Sequence, residues 1–434
     1  MGKFIIRGGR QLEGDINING AKNSVLPVLA ATVLTDNECV IHNVPEITDV
    51  RIMIEILVRL GAKVWIEREP DGSQNIITVK ADALKTAAVP ESLMSQMRSS
   101  IFLMGPLLGR LGVAKIGQPG GCSIGPRPIN LHLDGLSALG MDCETGATEI
   151  IGRAPKLRGS EVRLAFPSVG ATENIMMAAV LAEGETTLKN PAREPEIVDL
   201  QGFLNAMGAN VKGAGSGEIR IKGVTRLHGY EEAVIPDRIE AGTFMAAATM
   251  TGGDVTLKKV RPDHLEAVIS KLKQVGAAID ISGNTVRVRG PIRPGPFTLV
   301  TGAYPGFPTD MQPQMVTLAA VAEGVSTVEE GVFKNRFAHV DDLNRLGADI
   351  KLEGSRVVVR GANRLQGGTT EARDLRNGAA LVLAGLVADG ETTVQSTEHI
   401  DRGYERLELR LRSLGADVKR AWATNREIPK AQNQ

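Results

Sequence analysis

A short motif recurring six times at near-constant spacing limits this chain to a fold built from repeated modules. In each copy an apolar residue and a glycine precede Ala or Met and then a β-like run. The copies are Leu60-Gly61-Ala62, Leu139-Gly140-Met141, Met207-Gly208-Ala209, Val275-Gly276-Ala277, Leu346-Gly347-Ala348 and Leu414-Gly415-Ala416, with glycines 79, 68, 68, 71 and 68 residues apart. Each follows an amphipathic stretch, as in IMIEILVRLGAKVWI and VISKLKQVGAAIDI. The pattern predicts a helix closed by a glycine C′ cap that turns directly into a strand. A second motif alternates with the first: LTDNECVIHNV, LAEGETTLKNP, MTGGDVTLKKV, VAEGVSTVEEG and LVADGETTVQS, with a weaker copy at LGRLGVAKIGQ. Each reads as the end of an Ala-rich helix, a turn, and a Thr/Val-rich strand. Two motifs in one order define a mixed α/β unit of about 70 residues, larger than a solenoid repeat. Six such units can group three and three into two similar halves.

Composition removes several classes of function. Fifty Lys and Arg balance fifty Asp and Glu, so the chain lacks the basic excess of a nucleic-acid coat. With 2 Trp, 3 Tyr and 9 Phe it also has few rings on which bases could stack. Three cysteines, none at CxxC spacing, give neither a disulfide framework nor a zinc ribbon. MGKFIIRGGRQ has no apolar signal core, and the longest apolar stretches run to about ten residues where a membrane span needs about twenty. A cytoplasmic protein that binds neither membrane nor nucleic acid is expected. No feature of the sequence sets an oligomeric state.

The six Ala-rich helices begin at GAKNSVLP, MSQMRSSIF, VGATENIMM, PDRIEAGTF, PTDMQPQM and DLRNGAAL. Their first turns carry Lys22, Arg98, Glu173, Asp237 with Glu240, Asp310, and Asp374 with Arg376. In a pseudo-symmetric fold these starts point in related directions, and their free N–H groups with added cations make an anion-binding surface. For Glu173 and Glu240, ordinary capping explains the residue equally well. Lys22 and Arg98 oppose the helix dipole and need another reason.

Three further features carry chemistry. Cys122 lies in GQPGGCSIGPRP, a glycine- and proline-rich loop unlike the apolar surroundings of Cys39. Arg127, five residues on, can lower its pKa and make it a nucleophile or an acid; a loop cysteine without function is the alternative. Asp310, in GFPTDMQPQM, is either a helix N-cap or a general base beside an active-site opening. Arg336, Arg376 and Arg402 stand at loop-to-helix junctions and, with Lys22, suit the clamping of a multiply charged anion. No GxGxxG follows a strand, and the six histidines form neither HExxH nor a close pair. A dinucleotide cofactor, a metal and a serine triad are therefore not expected.

Taken together, NGAKNSVLP, PGGCSIGPRP, FPSVGAT, AREPEIVD, PDRIEAGTF, FPTDMQPQ, VFKNRFAHV and HIDRGYER closely resemble the UDP-N-acetylglucosamine 1-carboxyvinyltransferase family, the enolpyruvyl transferases that open peptidoglycan synthesis. The resemblance runs from about Lys3 to Val418, and the residues from 424 to 434 are expected to form a disordered tail. It implies a two-domain inside-out α/β barrel of six βαβαββ units, with the active site in the cleft between domains. Residues 1–21 with 236–434 would form a discontinuous domain carrying Asp310 and the Arg336, Arg376 and Arg402 cluster. Residues 22–235 would form the other, carrying Lys22 and a lid loop with Cys122.

The resemblance also implies a reaction that needs no cofactor. The enolpyruvyl group of phosphoenolpyruvate moves to the 3′-hydroxyl of UDP-N-acetylglucosamine, through a tetrahedral ketal, with release of phosphate. By this resemblance Cys122 is the general acid toward the methylene carbon, able to form an adduct with phosphoenolpyruvate and open to alkylation by fosfomycin. Asp310 matches the base on the sugar hydroxyl. Lys22, Arg127 and Arg402 match phosphoenolpyruvate ligands, Lys22 and Arg402 being catalytic as well; Asn23 beside the reacting centre and Arg336 and Arg376, which line the cleft with Asp374, are expected to bind phosphoenolpyruvate too. Arg98, the run Arg127, Pro128, Ile129, Asn130 and Leu131, then Ser168, Val169, Gly170, Asp310 and Val332 match the nucleotide-sugar site, with Glu194, Asp237 and Glu240 in support. Two positions depart from the family: Asn130 stands where many members carry Asp, and Phe166 where some place Lys against the diphosphate. The nearest rival is the related transferase acting on shikimate 3-phosphate, which lacks the lid cysteine and opens with GSKS where this chain reads Gly20-Ala21-Lys22-Asn23-Ser24. A non-catalytic paralogue that binds the nucleotide sugar is a rival from another class.

Overall fold

The six repeat glycines all take left-handed backbone, with φ of 108° at Gly61, 96° at Gly140, 100° at Gly208, 103° at Gly276, 87° at Gly347 and 92° at Gly415. A side chain there would be strained, which is why glycine recurs. The residue after each glycine returns its N–H to the carbonyl of a leucine five positions back, from Ala62 to Leu57 at 3.0 Å through Ala416 to Leu411 at 3.1 Å. Each helix end is thereby satisfied and the chain turns at once into a strand: Lys63–Arg68, Asp142–Thr145, Asn210–Lys212, Ala278–Ser282, Asp349–Glu353 and Asp417–Trp422. The computed structural model describes residues 2–69, 75–117, 129–333 and 336–422.

Each unit builds one small sheet, and the second motif supplies a central strand of it. Glu38–Val44, Glu185–Lys189, Asp254–Lys258, Val325–Glu329 and Glu391–Gln395 each have an antiparallel neighbour on one side and a parallel one on the other. The weaker copy, Val113–Gly117, joins a three-stranded sheet in which the parallel partner shrinks to a single bridge between Ala88 and Lys115. The N-terminus completes two distant sheets. Gly2–Arg7 lies between Glu391–Gln395 and Asp417–Trp422, and Glu13–Asn17 runs parallel to Asp254–Lys258.

The layers are inverted relative to a common barrel: helices form the centre and sheets the outside. Arg238–Thr251, Gln312–Val321 and Leu375–Val387 pack on one another and are buried nearly all round. In the other half, Met104–Leu111 packs closely on Val169–Ala179, where a Cβ at Gly105 would collide with the Asn174 backbone. Strands such as Glu218–Lys222 bury alternate residues, so one face of the sheet meets the helices and the other meets solvent. Among the described residues no helix is long and apolar enough to cross a membrane.

Two hydrophobic cores result. One gathers residues from Val25 to Val234; the other gathers Phe4 to Ile18 with Ile239 to Val418. The chain passes between them twice, and the two passes lie side by side. Gly20 bridges Pro236, Ala21 N–H donates to Ile235 O at 2.7 Å, and Asp237 N–H donates to Asn19 O at 2.8 Å.

Two of the expected helix starts are corrected. Arg98 opens a 3-10 turn, Arg98–Leu103, ahead of the helix Met104–Leu111. Asp310 lies within a 3-10 turn, Thr309–Met311, ahead of Gln312–Val321. In both places the tighter turn carries the polar residue and the α-helix starts later, next to a proline at 106 or 313.

Candidate active site

Two carboxylates, the buried Asp49 and the half-buried Asp310, one from each core, collect four cations around the boundary between the cores. Asp49 sits in the first turn of Thr48–Leu60 and is 1% exposed. Lys22 Nζ lies 2.7 Å from its Oδ2, and Arg402 from the other core donates Nε to Oδ1 at 2.8 Å and Nη2 to Oδ2 at 3.3 Å. Burial works to raise the Asp49 pKa, but Lys22 and Arg402 overcome it and hold the carboxyl below its usual range. Burial pushes the Lys22 ammonium down; Asp49 opposes this, and the positive charges of Arg402 and Arg376 add to it. Lys22 therefore resists the helix dipole by leaning on Asp49, a partner the sequence did not suggest. Asp49 reads in sequence as an ordinary first-turn acid of an amphipathic helix.

The second cluster centres on Asp310. Arg336 Nη2 donates to its Oδ1 at 2.7 Å, and Arg376 Nη2 donates to Oδ2 at 3.2 Å. Burial alone would raise this carboxyl, but Arg336 and then Arg376 hold it well below the usual carboxylate range. Both arginines are buried, yet the Asp310 side chain keeps 27% of its surface open, enough for a hydroxyl to reach it. Asp310 is not a helix cap: Pro308 precedes its turn, and its carboxylate faces the arginines. Arg376 lies over the Tyr404 ring at 5.4 Å, and its own backbone N–H is fixed at 2.9 Å by Asp374, the N-cap of Leu375–Val387.

Asp237 serves both chain crossings. Its Oδ1 caps Arg238–Thr251 through Ile239 N–H at 2.8 Å and Glu240 N–H at 2.9 Å, and its Oδ2 accepts from Lys22 N–H at 3.2 Å. Glu240 does not cap its helix. It accepts Asn19 N–H at 2.8 Å and meets Arg410 at 3.3 Å. Glu173, also considered as a cap, is fully buried inside Val169–Ala179, and burial raises its carboxyl well above the ordinary value. Glu194 accepts from Arg193 N–H at 3.0 Å and, from the other core, Tyr304 N–H at 3.5 Å.

Ser168 caps Val169–Ala179 by accepting from Ala171 N–H at 3.4 Å, and Val169 and Gly170 begin that helix. Asn23 follows Lys22 in the helix Lys22–Ala31, and Ile129 precedes the helix Asn130–Ala138 that Asn130 and Leu131 begin. Val332 is half-buried with its N–H held by Glu330 at 2.9 Å. Arg98 is half-buried, and Phe166 is exposed. Cys122, Arg127 and Pro128 lie outside the described residues, as does the segment 424–434. Among the described residues no group of three or more His, Cys, Asp or Glu is arranged to hold a metal ion.

Cations from two helix-centred, sheet-covered halves thus meet at Asp49, with the Asp310 cluster on one of the two halves. Residues 6–411 match the family described as EPSP synthase (3-phosphoshikimate 1-carboxyvinyltransferase), and the chain belongs to that family. Among curated relatives, a UDP-N-acetylglucosamine 1-carboxyvinyltransferase 1 of Symbiobacterium thermophilum is 54% identical over 420 residues, covering 96% of this chain and 95% of the relative. A UDP-N-acetylglucosamine 1-carboxyvinyltransferase 2 of Caldanaerobacter subterraneus subsp. tengcongensis is 51% identical, covering 97% of this chain and all (100%) of the relative. Among solved structures, the enolpyruvyl transferase NikO from Streptomyces tendae superposes with a TM-score of 0.87 at 25% identity, covering 96% of this chain and 98% of that one. An EPSP synthase from Acinetobacter baumannii shares the fold at TM-score 0.74 and 22% identity, covering 97% of this chain and 100% of that one.

Proposed function

We propose that this chain transfers the enolpyruvyl group of phosphoenolpyruvate to the 3′-hydroxyl of UDP-N-acetylglucosamine and releases phosphate, the first committed step of peptidoglycan synthesis. Full-length similarity to relatives that carry that name is the observation that carries the reading. The charge count fits it. Lys22, Arg402, Arg336 and Arg376 against Asp49 and Asp310 leave two net positive charges, suited to a substrate bearing both phosphate and carboxylate. The two cores support a division into residues 22–235 and residues 1–21 with 236–434, the cleft between them closing on substrate.

In the addition step the sugar oxygen bonds to carbon 2 of phosphoenolpyruvate. Its proton passes to Asp310, and the methylene carbon takes a proton from Cys122, which gives a methyl-bearing ketal that still holds the phosphate. In the elimination the methyl returns a proton to the Cys122 thiolate, the bond from carbon 2 to the phosphate oxygen breaks, the double bond returns, and phosphate leaves with the proton that Asp310 held. Asp310 held by two arginines is a weak base. An anionic substrate that draws Arg336 or Arg376 toward itself strengthens that base when both reactants are present. Lys22, Asn23, Arg127 and Arg402 bind phosphoenolpyruvate; Arg98, Arg127 to Leu131, Ser168 to Gly170 and Val332 bind the nucleotide sugar. Asp374, Asp237, Glu194 and Glu240 hold these groups in place. Fosfomycin alkylates the Cys122 thiol.

Phosphate release from phosphoenolpyruvate tests this reading, with UDP-N-acetylglucosamine or shikimate 3-phosphate as acceptor. Release is expected only with the nucleotide sugar, and is lost in Cys122→Ala and after fosfomycin treatment. Release only with shikimate 3-phosphate would overturn the substrate while leaving the family intact. Nucleotide-sugar binding without any release would favour a sensor.

A further inference from the structure

Glu330 follows the strand Val325–Glu329 and is 4% exposed. A buried carboxylate needs strong compensation, and this one finds it in two separate segments. Its Oε1 accepts Val332 N–H at 2.9 Å and Phe333 N–H at 3.1 Å, which shapes the loop that carries Val332. Both of its oxygens also lie 2.9 Å from Thr309 Oγ1, in the turn that carries Asp310. Thr309 Oγ1 meanwhile accepts from Arg336 Nη1 at 2.8 Å, while the Nη2 of the same guanidinium grips Asp310 at 2.7 Å. A hydroxyl has one proton, and an arginine is never an acceptor, so the Thr309 proton points to Glu330. The direction of the chain is fixed: Arg336 to Thr309 to Glu330. The peptide around Glu330 is itself anchored, its N–H to Ser355 O at 2.8 Å and Gly331 N–H to Thr301 Oγ1 at 3.0 Å.

A carboxylate that only ordered its own turn would need the two backbone bonds and nothing more. The link through Thr309 reaches away from that turn to the guanidinium beside Asp310.

We propose that Glu330 is a positioning residue for the transfer, locking the Val332 loop and the Asp310–Arg336 pair into one unit so that the sugar hydroxyl and its base arrive in register. This rests on the reading of Asp310 as the base for the sugar hydroxyl and of Val332 as a nucleotide-sugar contact. Three variants separate its two links. Glu330→Ala removes both, and should raise the nucleotide-sugar KM and lower kcat by about tenfold each, with the phosphoenolpyruvate KM within about twofold of wild type. Glu330→Gln keeps one oxygen for the two loop N–H groups but turns a donor toward Thr309, where the hydroxyl already accepts from Arg336. It should return KM to near wild type and leave kcat low. Thr309→Val spares the loop and should lower kcat by about threefold to tenfold with KM unchanged.

The three are measured beside Asp310→Asn, with thermal unfolding of each. Wild-type constants in Glu330→Ala, next to a crippled Asp310→Asn, would overturn this proposal alone. Losses that follow the fall in melting temperature, with KM disturbed in Glu330→Gln and Thr309→Val as much as in Glu330→Ala, would also overturn it and leave a structural role. Normal turnover in Asp310→Asn would instead sink the base assignment beneath it. The near-isosteric Gln and Val variants keep the test open if the alanine variant does not fold.

Discussion

Glu240 shows how burial sets chemistry one residue at a time. Burial pushes its carboxyl up to about 7; Arg410 opposes the shift and Asp237 adds to it. A carboxyl raised in the fold binds its proton more tightly there than in the unfolded chain. Its contribution to stability is therefore full at pH below the unfolded value of 4.5 and is lost as pH rises through about 7. Glu240→Gln removes that slope. The stability of wild type relative to the variant should fall by about 3 kcal/mol between pH 4 and pH 8, read by urea unfolding. Parallel pH curves would contradict it. The site at this scale was only partly legible in the sequence. Lys22 and Arg98 stood out because a cation at a helix start is out of place, and Lys22 proved to have a specific carboxylate partner. That partner, Asp49, was silent because a first-turn acid is the commonest residue of its kind. Glu330 was silent too, since its bonds to Thr309 and Val332 depend on a turn the periodicity does not describe. Asp310 offered two readings, and only its arginines, 26 and 66 residues away, set the cap reading aside.

Local elements were far easier to read. A helix that ends in a leucine ladder and a left-handed glycine is written within about seven residues, so all six repeat glycines could be found by eye. The Cβ of an alanine at 276 would approach no atom closer than 3.4 Å, the contact with Pro291, so strain there is purely conformational. Gly276→Ala should cost about 1–2 kcal/mol in urea unfolding, with kcat unchanged. A variant as stable as wild type would mean the cap is not what fixes the turn. Strand partners at long range were not legible. Nothing in GKFIIR says that it will sit between residues 391–395 and 417–422, because hydrophobic alternation gives a face but not a neighbour. Nor did the Ala-rich pattern show that two helices are preceded by 3-10 turns, where a nearby proline delays the α-helix.

Across the whole molecule, the two cores are joined by ion pairs of very different worth. Arg402 with Asp49 is largely desolvated, at 17% and 1% exposed, whereas Arg406 with Glu46 stands in water at 57% and 22%. Asp49→Asn leaves Lys22 and Arg402 without their charge partner and should cost about 3 kcal/mol of stability. Arg406→Gln should cost less than about 1 kcal/mol. Urea unfolding of the two variants checks both, and equal losses would show that burial does not rank these contacts. The Lys22 and Arg402 pairs bring cations from both halves to one buried carboxylate, where the proposed function seats a multiply charged substrate. The central claim is the identity of the acceptor, and the product's mass tests it most directly. Incubated with phosphoenolpyruvate and UDP-N-acetylglucosamine, the chain should yield a nucleotide sugar heavier by one carboxyvinyl group, with one phosphate released for each. Phosphate release with an unchanged nucleotide sugar, or no product while shikimate 3-phosphate is converted, would contradict the account.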